Sequence, residues 1–371
     1  MATDVEPVGA AQGADAPLRV LRDCVRAADA DRIRLRLRGG GTKDFYGEPA
    51  GGEPLDLRPV AGIVAYEPTE LVVTAYAGTP LAELEQALAE RRQWLPFEPP
   101  HFGAGATVGG MVAAGLSGPG RASAGAVRDY VLGAVLMNPQ GELLHFGGQV
   151  MKNVAGYDLS RVLAGSMGVL GPIVQVSLKV LPMPAAGTTL HMHAGLREAL
   201  ALLNRWGGQP LPITATAWHA GELRVRLAGA RAAVEAAARR LGDAHAARAI
   251  DPQQAHGYWA GVREHTDPFF DGDAPLWRLS VPSTAPAFEF PGRQLIEWGG
   301  ALRWFRTEVD PSVVRQAANT VGGHATLFRG RARSGGAFAP LSASVLELHR
   351  RLKREFDPRG IFNPGRLVAG L

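Results

Sequence analysis

The residues best suited to chemistry sit in two short glycine-rich runs. The first is Arg38-Gly39-Gly40-Gly41-Thr42-Lys43, and the second is Gly103-Ala104-Gly105-Ala106-Thr107-Val108-Gly109-Gly110. Glycine tolerates positive φ and lets backbone N–H groups approach a ligand with no Cβ in the way. Successive N–H groups in such a turn form a concave nest for an anion. Two such runs suggest one long ligand held by bare backbone, and the obvious anion is a pyrophosphate. Thr42, Thr107 and Ser117 can add hydroxyl hydrogen bonds to phosphate or sugar oxygens. Gly115, Gly118 and Arg121 either line the same cradle or form a second turn packed under it.

Familiar nucleotide loops do not fit. A dinucleotide fingerprint needs G-x-G-x-x-G between strand and helix, with an acidic residue about 20 positions on. Gly39-Gly40-Gly41 lacks that spacing, and no G-x-x-x-x-G-K-[ST] occurs. There is no H-E-x-x-H, no Cys/His cluster and no nucleophile elbow, so no metal site and no triad chemistry are expected. Cys24 is the one cysteine, which excludes an internal disulfide and a cysteine-ligated iron–sulfur cluster. Net charge is +4, and no Lys/Arg block is interleaved with aromatics, so nucleic acid is not an expected partner. No apolar run approaches the ~20 residues that span a bilayer. The Ala/Gly/Asp-rich residues 1–16 do not read as a signal peptide, and the chain is expected to be cytoplasmic.

The elements that must position these loops follow from periodicity. Leu18 to Ala30 has helical spacing, and Arg32 to Arg38 alternates as a strand into the first loop. Leu55–Leu57, Gly62–Tyr66 and Leu71–Gly78 read as strands, and Thr79 as the N-cap of a helix over Leu81–Arg91. Thr107–Ala114 predicts a short helix. Asp129–Met137 and Glu142–Phe146 predict a hairpin, Leu159–Ala164 a helix and Ile173–Val180 a buried strand. Beyond Pro182 and Pro184 the pattern becomes an α+β antiparallel unit. Its strands are expected at 188–193, 213–218, 223–227, 276–281, 295–298, 302–307 and 325–328. Gly299-Gly300 reads as a two-residue hairpin turn, and helices fall at 196–206, 231–241 and 311–321. Leu341–Phe356 is a last helix.

Together the loops resemble the flavin-binding domain of the vanillyl-alcohol oxidase/p-cresol methylhydroxylase superfamily. The resemblance rests on the first glycine run, on Ala106-Thr107-Val108-Gly109-Gly110-Met111, on Gly168-Val169-Leu170-Gly171-Pro172-Ile173 and on the closing Asp357-Pro358-Arg359-Gly360-Ile361-Phe362-Asn363-Pro364-Gly365. Met151–Asp158, Ile296–Ala301 and Gly323–Arg329 further resemble the family of FAD-binding E subunits of bacterial glycolate oxidases. That resemblance implies an α+β protein. It would have a p-cresol-methylhydroxylase-type FAD-binding domain of two subdomains at 17–183 and a smaller α+β antiparallel cap at 184–340. A tail at 1–16 precedes them, and a C-terminal helix and tail at 341–371 return to the flavin domain.

It also implies FAD as cofactor. The contacts it implies are Arg38 through Lys43, Pro99, Thr107 through Gly110, Ala113, Gly115, Ser117, Gly118, Arg121, Gly168, Gly171 and Ile173. Relatives that attach flavin covalently carry a histidine where this chain has Thr42, so non-covalent FAD is expected. His324 is a candidate base for the substrate hydroxyl proton while the α-hydrogen leaves as hydride, or else a hinge histidine. Arg303 and Arg329 are candidates to clamp a 2-hydroxy-acid carboxylate, or else cap-surface arginines. Lys152, with Asn153, Tyr157 and Asp158, is placed near the isoalloxazine by the resemblance or serves an interface.

The implied activity is oxidation of glycolate or D-lactate, with electrons passed to a related flavoprotein subunit and an iron–sulfur subunit. Any membrane association would come through those partners. Two alternatives stay open: an electron-relay or structural flavin subunit, and a free-standing alcohol or 2-hydroxy-acid oxidase.

Overall fold

A computed structural model describes residues 14–148, 159–330, 335–368 and 370–371. Helix α1 (Asp15–Asp31) buries Leu21, Val25 and Ala28 and ends at Arg32 in the left-handed conformation. The chain then enters β1 (Leu35–Arg38), which pairs in parallel with β2 (Glu53–Asp56). Next come β3 (Ile63–Glu67), β4 (Val72–Tyr76), α2 (Leu81–Glu90), β5 (Gln93–Trp94), α3 (Val108–Ala114) and α4 (Arg121–Ala124). Strands β6 (Val131–Met137), β7 (Leu143–Gly147), β8 (Ile173–Lys179) and β9 (Leu181–Pro182) complete this half. β3, β4, β8, β6 and β7 lie side by side in that order in one antiparallel sheet.

That sheet is covered on both faces, and its strand alternation shows why. Ala134 and Leu136 join a core with Leu81, Leu84 and Leu88 of α2 and Val108, Met111 and Val112 of α3. Val135 and Met137 turn the other way, onto Leu21 and Val25 of α1 and Leu35 and Leu55 of the β1–β2 pair. The glycine loop after β1 thus leaves one layer, and α3 leaves the other, at the same end.

The second half contains β10 (Ala186–His193), α5 (Leu196–Gly207), β11 (Ile213–His219), β12 (Glu222–Gly229), α6 (Arg231–His245), β13 (Arg248–Ala249) and α7 (Pro252–Glu264). It continues through β14 (Leu276–Ser280), β15 (Arg293–Glu297), β16 (Leu302–Arg306), α8 (Pro311–Thr320) and β17 (His324–Arg329). These strands form one eight-stranded antiparallel sheet in the order β13-β10-β12-β11-β15-β16-β14-β17. Helices α5, α6 and α8 cover its outer face. The inner face meets the first half. One buried cluster joins Leu276, Leu302, Trp304 and Phe328 of the sheet to Tyr46, Ala114, Leu116 and Met167 of the first half.

Three local expectations need correction. The residue at the N-cap of α2 is Pro80. The Thr79 hydroxyl is taken up by the neighbouring strands, accepting from the Gly62 N–H at 2.9 Å and donating to Tyr76 O at 2.7 Å. The expected helix at 159–164 is a short 3-10 turn over Ser160–Leu163. β15 and β16 are joined by Trp298–Ala301, with both Trp298 and Gly299 at positive φ, so the link is longer than two residues. Helix α7 escaped the periodicity reading. Gly257 and Gly261 interrupt it, although Ala255, Trp259 and Val262 do form a buried face.

Helix α9 (Ala343–Phe356) runs into the closing motif. The Lys353 Nζ, almost fully buried, donates to Asp357 Oδ2 at 2.6 Å, Val169 O at 2.6 Å and Phe362 O at 2.8 Å. Asp357 in turn accepts the N–H groups of Ile361 and Phe362. Phe362 then bridges Leu35 of β1. Removing one member of a buried pair leaves the other charge uncompensated, at about 3–5 kcal/mol. Asp357→Ala is therefore expected to lower the unfolding free energy by about 3 kcal/mol in a urea titration. A loss below about 1 kcal/mol, the range of exposed pairs, would contradict this account.

Candidate active site

The two glycine loops touch backbone to backbone. A Cβ on Gly40 would lie 1.5 Å from Gly105 O, and one on Gly39 would lie 2.4 Å from Thr107 Oγ1. Gly41 and Gly103 also sit at positive φ. None of the backbone N–H groups from Gly39 to Lys43 finds an acceptor among the described residues. Five consecutive donors without partners form the kind of nest that takes an anion.

Two adjoining open clefts lie there. They share Leu37, Gly39, Thr107, Gly110, Ala113, Met167 and Asn363 as lining. One reaches Gly109, Gly168, Gly171 and Ile173, and the other Arg38, Gly40, Gly41, Thr42 and Lys43. Asn363 ties the closing motif into this wall, accepting from the Leu37 N–H at 2.8 Å and donating to Met167 O at 2.7 Å. Donor set, missing Cβ atoms and elongated shape all fit a dinucleotide diphosphate.

The second loop is less open than the first. Thr107 caps α3 by accepting the Gly110 N–H at 3.2 Å. Val108 gives its N–H to Thr79 O and Gly109 gives its own to Ala77 O. Val108 buries its side chain in the core, so it supports the cradle and does not line it. Pro99 is buried and lines none of the site cavities, where Pro100 does. Gly115 is the left-handed C-cap of α3, where a Cβ would meet Gly165 at 2.8 Å. Lys43 donates to His101 O at 3.1 Å. Burial pulls its pKa down to about 8 against the attraction of Glu264.

A third cavity, narrow and with about 20 Å³ of free volume, lies between the halves. Ser117, Gly118, Pro100 and Phe102 line it from one side, and Arg278, Glu297, Trp304, Phe328 and His265 from the other. Lys43, which lines the cradle, has its ammonium 5.7 Å from the ring centroid of Phe102, which lines this cavity. Two latches set the gap. The Arg226 guanidinium donates to both oxygens of Glu98, at 2.7 and 2.9 Å, while Glu98 also holds the Gly120 N–H. The Trp298 indole N–H donates to Gly118 O at 3.0 Å.

Charge in this cavity is uneven. The Arg278 guanidinium finds no acceptor among the described residues and lies over the Trp298 and Trp304 rings, 5.3 and 6.0 Å from their centroids. Arg121 lies 4.5 Å from the centroid of the same Trp298 ring. His265 stacks on Phe270 at 3.8 Å and leaves its buried Nδ1 without a partner. Burial, then the charges of Arg329, Arg278 and Arg306, hold its pKa well below the usual histidine value. Neutral imidazole and unpaired guanidinium leave Arg278 as the positive group facing this cavity.

Of the expected catalytic residues, Arg303 is displaced. β16 alternates, so Arg303 points to the outer face and is wholly buried. It donates to Gly300 O, Pro286 O and Ala285 O, which leaves nothing for a substrate carboxylate. Arg329 does face inward, over Phe45 at 4.6 Å and Phe102 at 5.3 Å. His324 opens β17 at an exposed position opposite Ser280, diagonal to Arg278. Surrounding protein and the Arg278 charge hold its pKa below the usual value. Lys152, Asn153, Tyr157 and Asp158 lie outside the described residues. Arg278 itself escaped sequence reading. Its signal was an arginine amid the apolar Leu276-Trp277-Leu279, legible only once the inward register of β14 is known.

The comparisons agree with this geometry. The family described as "FAD binding domain" matches residues 19–147, and "FAD linked oxidases, C-terminal domain" matches residues 339–367. Alkyldihydroxyacetonephosphate synthase shares the fold, with a TM-score of 0.65 at 15% identity over 93% of this chain and 75% of its own. Fold, cradle and family matches define an FAD-binding flavoprotein of the FAD-linked oxidase class, an oxidoreductase. Glycolate oxidase subunit GlcE of Escherichia coli (strain K12) is 46% identical over 95% of this chain and 98% of its own. The chain belongs to the family of that subunit. Two further relatives match in part. Glycolate oxidase subunit GlcD of Bacillus subtilis (strain 168) is 28% identical over 50% of this chain and 39% of its own length. A mitochondrial D-lactate dehydrogenase of Arabidopsis thaliana is 31% identical over 39% of this chain and 26% of its own. No helix among the described residues is long and apolar enough to cross a membrane.

Glu297 supplies a pH test of the site. Burial pushes its carboxyl up to about 8, although the Trp304 indole N–H, at 2.7 Å, and Arg278 favour the charged form. The folded chain keeps a proton that the unfolded chain releases near the ordinary glutamate value. This contribution to stability is full below that value and is lost as pH rises toward 8. The stability difference between wild type and Glu297→Gln should fall with rising pH between 5 and 8, by at most about 1.4 kcal/mol per pH unit. A difference that stays flat in urea titrations across that range would contradict a buried, protonated Glu297.

Proposed function

We propose that this chain is the FAD-bearing subunit of a complex that oxidises a small 2-hydroxy acid, glycolate or D-lactate, to the 2-oxo acid. The observation that carries this reading is the unpaired Arg278 guanidinium, facing a cavity whose Phe102 wall lies against Lys43 of the unsatisfied N–H cradle. A guanidinium binds a carboxylate through two parallel donors, which fixes both position and orientation. In this role Arg278 replaces Arg303, with Arg329 as a second positive charge near the cradle.

The cofactor is held by the Gly39–Lys43 donors without a covalent bond, since Thr42 stands at the attachment position. When bound, FAD supplies the two-electron acceptor for the hydride that leaves C2 of the substrate. This chain does the rest. Arg278 holds the carboxylate, Trp304 and Phe328 wall off water, and neutral His324 takes the hydroxyl proton. Electrons cannot leave through a cysteine-bound cluster in a chain whose one cysteine is Cys24. They pass to other subunits, of which we propose a related flavoprotein and an iron–sulfur protein.

A second reading has its own observation. His324 sits at the exposed edge of the sheet and does not line the cavity, which favours a relay subunit whose flavin never meets substrate. Anaerobic addition of glycolate to the purified chain separates the two. Loss of the oxidised flavin absorbance supports oxidation here, and Arg278→Gln should retain flavin but lower the rate at least about 100-fold, or about 2.7 kcal/mol. Flavin that stays oxidised in the wild type would remove the first reading. Turnover with oxygen and no partner would point to a free-standing oxidase.

A further inference from the structure

We propose that the eight-stranded sheet carries a divalent-metal site of zinc type, formed by His191, His193 and Glu222. It lies apart from the flavin site and does not depend on that reading. His191 and His193 are two residues apart on β10, so both side chains leave the same face of the sheet. β12 runs antiparallel beside them and places Glu222 directly opposite His193.

The three side chains converge. Glu222 Oε1 lies 2.8 Å from His193 Nδ1, and Oε2 contacts His191 Nε2. The imidazole centroids are 5.3 Å apart and the rings are inclined at 77°, so they approach one point from different directions. One ligand atom from each of the three lies within 4.8 Å of the others. Small side-chain rotations bring such a set to the ~2.0–2.2 Å reach of a central ion.

Donor chemistry selects the ion. Two imidazole nitrogens and one carboxylate oxygen suit zinc, which takes three protein ligands and keeps a fourth position for water. The His193 side chain is 81% exposed, so that fourth position opens to solvent. Arg224, in register with His191, is drawn away over the Tyr258 ring at 4.4 Å. The sequence shows no metal motif because Glu222 stands 31 residues from His191. Only the β10–β12 register makes the three neighbours.

The test is a calorimetric titration of the metal-stripped full chain with zinc chloride at neutral pH. We expect one equivalent bound per chain. His193→Ala and Glu222→Ala should each weaken binding at least about tenfold. His256→Ala, an exposed histidine of α7 outside the cluster, should leave it unchanged. These ligands sit at the sheet surface, and a retained flavin spectrum verifies that each variant is folded. Wild-type binding no tighter than that of His193→Ala, or an equal loss in His256→Ala, would overturn the proposal.

Discussion

The contact of Gly40 with Gly105 is the constraint on which the rest of the structure depends. Their approach leaves no room for a Cβ, and the Gly39–Lys43 donors find no acceptor among the described residues. A buried or half-buried donor without a partner costs free energy. Everything nearby holds the two loops in that relation. β1 carries the first loop and pairs with β2, while the closing motif bonds to β1 through Phe362 and Asn363. The buried Lys353–Asp357 pair fixes that motif in turn.

The second half is placed by a different kind of contact. A shared aromatic core of Tyr46, Trp304 and Phe328 supplies the apolar attraction, which is not directional. Direction comes from the polar latches. Glu98 grips both Arg226 of β12 and the Gly120 N–H, and Glu264 of α7 accepts the N–H groups of His101 and Phe102. Desolvation offsets much of what a buried ion pair gains, so the value of the Glu98–Arg226 pair lies in register more than in stability. It ties the loop at Ser117–Arg121 to β12 through the Gly120 N–H.

Much of this was legible in the sequence, for local reasons. The strand into Gly39, the helix opened by Thr107 and the antiparallel strands beyond Pro184 follow from alternation, capping and glycine. The place of the two glycine loops could be read because glycine marks close backbone approach at a fixed position in the chain. The substrate end could not be read this way. Whether Arg278 or Arg303 faces the cavity depends on the facing of two neighbouring strands, and both look alike as arginines among apolar residues. Helix α7 was hidden by its glycines, and with it His265 and Glu264, which the fold brings to the cavity and the latch.

In the function proposed for this chain, bare backbone at Gly39–Lys43 holds a pyrophosphate. Calorimetric titration of the flavin-free chain with FAD and with FMN, which lacks the second phosphate and the adenosine, tests it most directly. Wild type should bind FAD at least about 100-fold more tightly than FMN, and Gly40→Ala should lose most of that advantage. Equal affinity for the two flavins, or a preference for FAD that survives in Gly40→Ala, would contradict the account.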